Sequence, residues 1–393
     1  MKILQIHNTY QYRGGEDQVV ATEKALLEAH GHRVIQYLRH NGEITGYGPL
    51  KTIGLWPTAL WAPRACREVE QLIAREKPDI AHVHNTLPLI SPMVYASCRR
   101  AGIPVVQTLH NFRLACAGAN FYRRGKICRT CLGHSPLRAL GKPCYRNSRI
   151  QTAAVATMLQ CHRWWNTWQR DVDSYVALTQ FMKRRMIRCG LPRKKIMVKP
   201  NSPTTDEQPQ PSRPRHVLYM GRLSPEKGVE DLVRAWKALP RVPLKIAGDG
   251  PLAPRLKHQL ARHGLNQIQL LGHLDRQALN KMLAQAWLVI VPSRCYEGFP
   301  LTIAEAFCAG KPVIAPRMGA AAELVSHAAT GFLYHPGSQR DLVRWIQRAL
   351  ARPTQLPRMG ENARSIYLAR YSTQKAHDRL MQIYKRTLAH AAH

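Results

Sequence analysis

Two glutamates and two cations are the residues of this chain whose spacing best suits a charged ligand: Glu297 with Glu305, and Arg222 with Lys227. The glutamates lie in the string SRCYEGFPLTIAEAFCAGKPVIA. The apolar run Trp287–Val291 reads as a buried strand, Pro292–Pro300 as a loop, and Leu301 onward as a helix stopped by Gly310, a suitable C′ residue. On one continuous helix, this separation at 3.6 residues per turn would put the carboxylates on different faces. With Glu297 in the loop and Glu305 one turn into the helix, both can address one ligand. The backbone of Gly298, Phe299, Pro300 and Leu301 then opens a helix, whose N-terminus favours phosphate. Open α/β sheets bind ligands beyond the C-terminal ends of their strands, where this loop lies. The plainer alternative is a glutamate that only complements the helix dipole.

The cations follow another strand-like run, His216–Met220, in the string GRLSPEKG. A glycine turn there presents Arg222 and Lys227 at the mouth of the same expected sheet. Arg supplies a planar fork and Lys a mobile point charge, a combination able to neutralise a diphosphate. Their alternative is two solvated surface cations. A third constellation is Cys116, Cys128, Cys131 and Cys144, a C-x2-C pair flanked by single cysteines. Four such thiolates can hold a structural Zn2+ in tetrahedral geometry. The alternative is four free thiols in a basic insert.

The elements that position these residues repeat strand, glycine loop and helix, which implies parallel sheets. Strands are expected at Lys2–His7, Arg33–Leu38, Asp79–His84, Pro104–Leu109, Ser174–Leu178 and Lys195–Lys199. After the linker they recur at His216–Met220, Leu244–Ala247, Ile268–Leu271, Trp287–Val291 and Val313–Ala315. Gln151–Arg170 reads as one helix carrying Trp164, Trp165 and Trp168. Residues 113–150 break the pattern as a Cys-rich basic insert. The Pro/Ser/Thr-rich stretch 204–215 reads as a linker between domains spanning 1–203 and 216–371. A last helix is expected over 372–393, with Ser372 as a plausible N-cap.

The chain has 393 residues, enough for two domains, and 45% hydrophobic residues, which excludes general disorder. Its net charge is +34. Residues 101–200 hold 19 basic residues against only Asp171 and Asp173, so the field is concentrated and attracts anions. Neither a signal peptide nor an apolar run long enough for a bilayer is evident. The ten cysteines therefore read as thiols or metal ligands, not as disulfides. The tryptophans with the basic residues of 151–200 suit an anionic membrane interface or, for the aromatics, a core helix. The expected location is the cytoplasm, peripheral to the membrane face.

The strings GRLSPEKG, AGDGP, PSRCYEGFPLTIAEAFCAGKPVIA and TLHNFRL resemble those of the retaining GT-B glycosyltransferases of family 4, the group 1 glycosyl transferases. The resemblance covers nearly the whole chain. It implies an α/β fold of two Rossmann-like domains with parallel sheets facing a cleft. The second domain would take a nucleotide-sugar donor carrying UDP or GDP, and the first the acceptor, with the last helix crossing back onto the first. It implies that Arg222 and Lys227 bind the donor phosphates, Glu305 the ribose hydroxyls, and Glu297 the region of the sugar and diphosphate. Gly298, Phe299, Pro300 and Leu301 would cradle sugar and phosphate through their backbone. Gly14 and Gly15 would form the N-terminal glycine loop, and His110 the acceptor-side histidine near the donor sugar. The family pattern of two glycines before a later Glu is altered here to Gly319-Ala320-Ala321-Ala322-Glu323.

The expected reaction is transfer of a hexose, with retention, to a hydroxyl of a glycan or lipid-linked acceptor. Its setting would be lipopolysaccharide or exopolysaccharide synthesis. No cofactor is expected for catalysis, since cations replace a metal, and no nucleic-acid partner is expected. Two rivals stand beside this reading. One is a basic nucleic-acid-binding protein with a four-cysteine zinc module, supported by the charge. The other is a GT-B epimerase or phosphorylase.

Overall fold

The computed structural model describes residues 1–10, 14–44, 58–210 and 212–391. Of the segments anticipated above, Pro211 of the linker and the last two residues of the C-terminal helix lie outside the described residues. The chain forms two compact units. One comprises Met1–Phe121, Cys128–Thr204 and Thr373–His393, and the other Tyr122–Ile127 and Thr205–Ser372.

The first unit is built on β1 (Lys2–Thr9), β2 (Arg33–His40), β3 (Ile80–Val83) and β4 (Val105–Leu109). A two-stranded hairpin, β5 (Tyr122–Arg123) and β6 (Lys126–Ile127), follows in the chain but belongs to the second unit, and the first unit resumes with β7 (Ser174–Ala177) and β8 (Ile196–Val198). The large sheet runs in the order β2-β1-β3-β4-β7-β8, and every pairing in it is parallel. Parallel strands are covered by helices on both faces, which is why β3, β4 and β7 are buried at every position. The strand order turns at β1, between β2 and β3, so the loops after β1 and β3 flank a switch point.

The C-terminal helix Thr373–Ala391 completes this unit. Its Leu380, Ile383 and Tyr384 enter one core with Ile3, Leu27, Ile80, Val106 and Val176. Two buried polar bonds fix its register: Tyr384 Oη lies 2.7 Å from His82 Nδ1, and Thr387 Oγ1 lies 2.7 Å from Ser174 Oγ.

The second unit holds β9 (His216–Met220), β10 (Leu244–Ala247), β11 (Ile268–Gly272), β12 (Ala286–Ile290), β13 (Val313–Pro316) and β14 (Gly331–Tyr334). Their order is β11-β10-β9-β12-β13-β14, again all parallel. Here the switch point lies between β9 and β12. Both units thus have the doubly wound α/β architecture expected from the repeating strand and helix signals.

Two local expectations are corrected. The helix expected over Gln151–Arg170 is two helices, Arg149–Trp164 and Thr167–Arg170. Asn166 breaks it by adopting a left-handed conformation at φ 55°, which asparagine tolerates better than most residues. Strand β14 is not among those anticipated. It opens on Gly331, at φ 148°, where a Cβ would stand 1.9 Å from the Val313 carbonyl oxygen. Glycine serves there for close backbone approach inside a sheet, although in sequence it reads as a turn.

Candidate active site

In the second unit, the loops after β9 and β12 are locked together by backbone. Arg294 N–H donates to Glu226 O at 2.8 Å. Gly228 sits at φ 73°, and a Cβ there would lie 2.0 Å from Pro292 O, so no other residue fits. The string AGDGP supports the same loop from β10: Leu223 N–H donates to Asp249 O at 2.9 Å and Gly221 N–H to Ala247 O at 3.0 Å.

This scaffold brings Lys227 and Glu297 together, Nζ to Oε2 at 2.6 Å. Burial works against the Lys227 ammonium, but the Glu297 charge outweighs it and raises the lysine pKa. Ser293 Oγ donates to the other Glu297 oxygen. Arg222 is exposed and makes no ion pair among the described residues. An unpaired guanidinium beside a lysine that a single carboxylate neutralises is an arrangement suited to a polyanion.

The helix Leu301–Cys308 begins at Pro300, with no side chain capping it. Ile303 N–H bonds back to Pro300 O at 2.9 Å, which leaves the N–H groups of Leu301 and Thr302 without an intrahelical or side-chain acceptor, the condition that favours an anion. Thr302 Oγ1 donates to Met220 O at 3.3 Å, tying the start of the helix to the end of β9. Glu305 lies in the second turn, where Arg276 Nη1 meets its Oε1 at 3.1 Å. Burial raises the Glu305 pKa, and Arg276 opposes the shift. Gly310 follows the helix at φ 64°, the left-handed C′ residue that the sequence implied. The altered string Gly319–Glu323 forms a short helix, Ala321–Leu324, that contains Glu323.

In the first unit, Gly14 and Gly15 start the helix Gly15–Ala29. Gly14 stands at φ −117°, a conformation open to any residue. Backbone freedom therefore does not explain these glycines, and only the space that a missing side chain leaves remains as a reason. Asp17 fixes the turn, accepting from Gly14 N–H at 2.9 Å and lying 2.8 Å from His7 Nε2. His110 follows β4 directly, and its Nε2 lies 2.9 Å from His84 Nδ1. Burial pushes the His110 pKa down to about 3, so the ring is neutral at ordinary pH. Behind it, His84 Nε2 is 3.4 Å from Glu23 Oε1, and Glu23 Oε2 is 2.9 Å from Lys199 Nζ. Asn111, next to His110, donates to Glu16 at 2.6 Å.

The residues singled out by sequence thus fall into two groups. Arg222, Lys227, Glu297, Gly298, Phe299, Pro300, Leu301 and Glu305 lie at the switch point of the second sheet. Gly14, Gly15 and His110 lie at strand ends of the first. Sequence reasoning missed Arg276, Ser293 and the buried chain from His84 to Lys199. Arg276 stands just inside a helix capped by Asp275, but nothing in sequence marks Glu305 as its partner. Of the tryptophans, Trp168 is core at 4% exposure, whereas Trp164 and Trp165 are 68% and 46% exposed. The four cysteines lie in the first unit, with Cys131 within electrostatic reach of the other three.

Comparison with known proteins gives two family matches. The Glycosyltransferase Family 4 model fits residues 13–207, and the Glycosyl transferases group 1 model fits residues 202–366. The alpha-D-kanosaminyltransferase of Streptomyces kanamyceticus is 32% identical over 43% of this chain and 45% of its own. The lipopolysaccharide 1,2-N-acetylglucosaminetransferase of Salmonella typhimurium is 26% identical over 61% of this chain and 70% of its own. The chain thus spans less than half the length of the former enzyme. Among solved structures, Anabaena HepE in complex with UDP aligns over 98% of this chain and 100% of that one, at TM-score 0.69 and 21% identity.

The buried histidines make the protein acid-sensitive. Burial lowers His110 to about 3, and lowers His162 and His216 to about 4 each. Unfolded, each titrates at ~6.5, so between these values the unfolded chain binds more protons. Stability is therefore fully present above ~6.5 and is lost as pH falls toward 4. The melting temperature should fall steadily over that range. The decline should be shallower in His110→Gln, a comparison that separates the histidine effect from general charge repulsion. A flat profile in the wild type, or an unchanged slope in the variant, would contradict the buried neutral His110.

Proposed function

The chain belongs to the group 1, family 4 glycosyl transferases of the GT-B fold, and on that premise we propose that it transfers a hexose from a nucleotide-diphosphate sugar to a glycan or lipid-linked acceptor. The observation that carries this reading is the meeting of Lys227 and Glu297 at 2.6 Å beside an uncapped helix N-terminus. The donor diphosphate would take charge from Arg222, Lys227 and the first turn of the helix Leu301–Cys308. Glu305, with Arg276, would read the ribose hydroxyls. The UDP bound in the Anabaena structure supports a nucleotide donor, and the Salmonella relative's name supports a place in lipopolysaccharide or exopolysaccharide synthesis.

In the proposed step the acceptor oxygen bonds to the anomeric carbon while the bond from that carbon to the phosphate oxygen breaks. The acceptor proton leaves with the diphosphate oxygen, on the face where both groups stand, so configuration is retained. Negative charge builds on the leaving phosphate, where fixed cations and N–H dipoles stabilise it without reorganising. Those groups already supply the positive charge, so the step does not call for a divalent cation. Neutral His110, with Gly14 and Gly15, is assigned to the acceptor side, where the ring offers a hydrogen bond and no charge.

Contact with an anionic membrane is part of the proposal. Among the described residues no helix is long and apolar enough to cross a membrane. Exposed Trp164 and Trp165 close a helix that also exposes Ile150, and Arg149 and Arg163 lie beside them. Exposed aromatics amid arginines suit the interface of an anionic leaflet.

Thermal unfolding with UDP, GDP and their sugars tests the donor site. A ligand at ~100 times its Kd should add about 2.7 kcal/mol of stability. One nucleotide should raise the melting temperature of wild type, with the rise lost in Glu305→Ala. No shift with any nucleotide would contradict the assignment, and NMR showing an inverted anomeric product would contradict retention. Vesicles rich in phosphatidylserine should co-sediment the wild type at low salt, and Trp164→Ala/Trp165→Ala should weaken that binding severalfold. Equal binding by both proteins would remove the tryptophans from the interface.

A further inference from the structure

Residues 113–150 contain nine Arg and Lys residues and no Asp or Glu. Before the helix that opens at Arg149, their regular structure amounts to the β5-β6 hairpin and one short 3-10 turn, Pro136–Ala139. Turn hydrogen bonds and the buried Phe121, Leu132 and Ala139 hold the segment, and a cross-link would add to them. Its cysteines are the side chains best able to supply negative charge at neutral pH.

Backbone contacts gather the loops that carry the cysteines. Ala119 N–H donates to Cys116 O at 2.8 Å, and Cys128 N–H donates to Phe121 O at 2.6 Å. Gly118 stands against Cys144, where a Cβ would lie 3.0 Å from the Cys144 carbonyl oxygen. Within this turn Ala119 and Phe121 adopt left-handed conformations at φ 68° and 50°.

The C-x2-C pair is built on a tight turn. Leu132 N–H donates to Arg129 O at 3.0 Å, and Gly133 follows Cys131 at φ 76°. Cys131 is buried within electrostatic reach of Cys116, Cys128 and Cys144, so the four sulfurs share one region of the insert.

We propose that Cys116, Cys128, Cys131 and Cys144 bind one Zn2+ as a four-thiolate structural site that pins residues 113–150. A Zn–S length of ~2.3 Å implies sulfurs ~3.8 Å apart in a tetrahedron. Among the described residues, the one trio of donor atoms within 4.8 Å of one another is Glu23, His82 and His84, so binding draws the cysteine sulfurs together. Two members of that trio are engaged elsewhere, although Glu23 Oε1 itself has no hydrogen-bond partner. Lys199 Nζ lies 2.9 Å from Glu23, and His82 meets Tyr384 Oη and Thr108 Oγ1, each at 2.7 Å. Four cysteine ligands leave zinc no open position, so the site is structural, and it stands independently of the donor-site assignment.

The test is zinc content of the full chain purified from zinc-replete medium. One zinc per chain is expected, falling to near zero in Cys128→Ser and Cys131→Ser and unchanged in Cys161→Ser. Should the Cys variants fail to fold, Co2+ added to metal-stripped wild type decides. Thiolate-to-cobalt charge transfer with intense tetrahedral d–d bands supports the site. Absence of zinc with all four thiols freely reactive overturns it. Zinc that persists in the Cys variants but is lost in His82→Gln overturns it as well, placing the metal at the histidine trio.

Discussion

Lys227 and Glu297 are 70 residues apart in sequence and 2.6 Å apart in space. Holding them there constrains most of the second unit. An ammonium and a carboxylate in a partly buried setting are favourable only if the geometry is fixed and the remaining hydrogen bonds are met. Ser293 meets one of them, on the second carboxylate oxygen. The geometry comes from the sheet: β9 and β12 are adjacent parallel strands, so their trailing loops leave from the same edge. Gly228 then lets those loops touch backbone to backbone, where any side chain would force them apart. The open edge itself follows from topology, because the chain order reverses between these strands.

The first unit solves a different problem, which is how to bury charge. Glu23 and Lys199 are both almost fully buried, with His82 and His84 around them. Burial alone would raise the Glu23 pKa, but Lys199 and then His82 bring it well below the usual value. His84 is driven the other way, to the neutral form, by burial and by His82. The network runs from Tyr384 on the C-terminal helix through His82, Glu23 and His84 to His110. The helix that closes the core therefore also anchors the far end of the chain of groups that orients His110.

Much of this was legible in sequence. Strands buried on both faces of a parallel sheet appear as short continuous apolar runs, and β9 and β10 have the bounds expected for them. The loop position of Glu297 and the helical position of Glu305 followed from periodicity and from Gly310. What escaped was set by tertiary approach. Gly331 looks like a turn because its reason, the backbone of Val313, lies on another strand. Arg276 has no signal pointing at Glu305, since only the fold makes them neighbours.

The central claim is that Lys227, released in part from Glu297, binds a diphosphate. Calorimetric titration of wild type and Lys227→Met with a nucleoside diphosphate and with the matching monophosphate tests it most directly. Wild type should bind the diphosphate at least ~10-fold more tightly, a difference of about 1.4 kcal/mol. In Lys227→Met that preference should collapse while monophosphate affinity changes little. Equal affinities for the two nucleotides in wild type, or a preference that survives in the variant, would contradict the account.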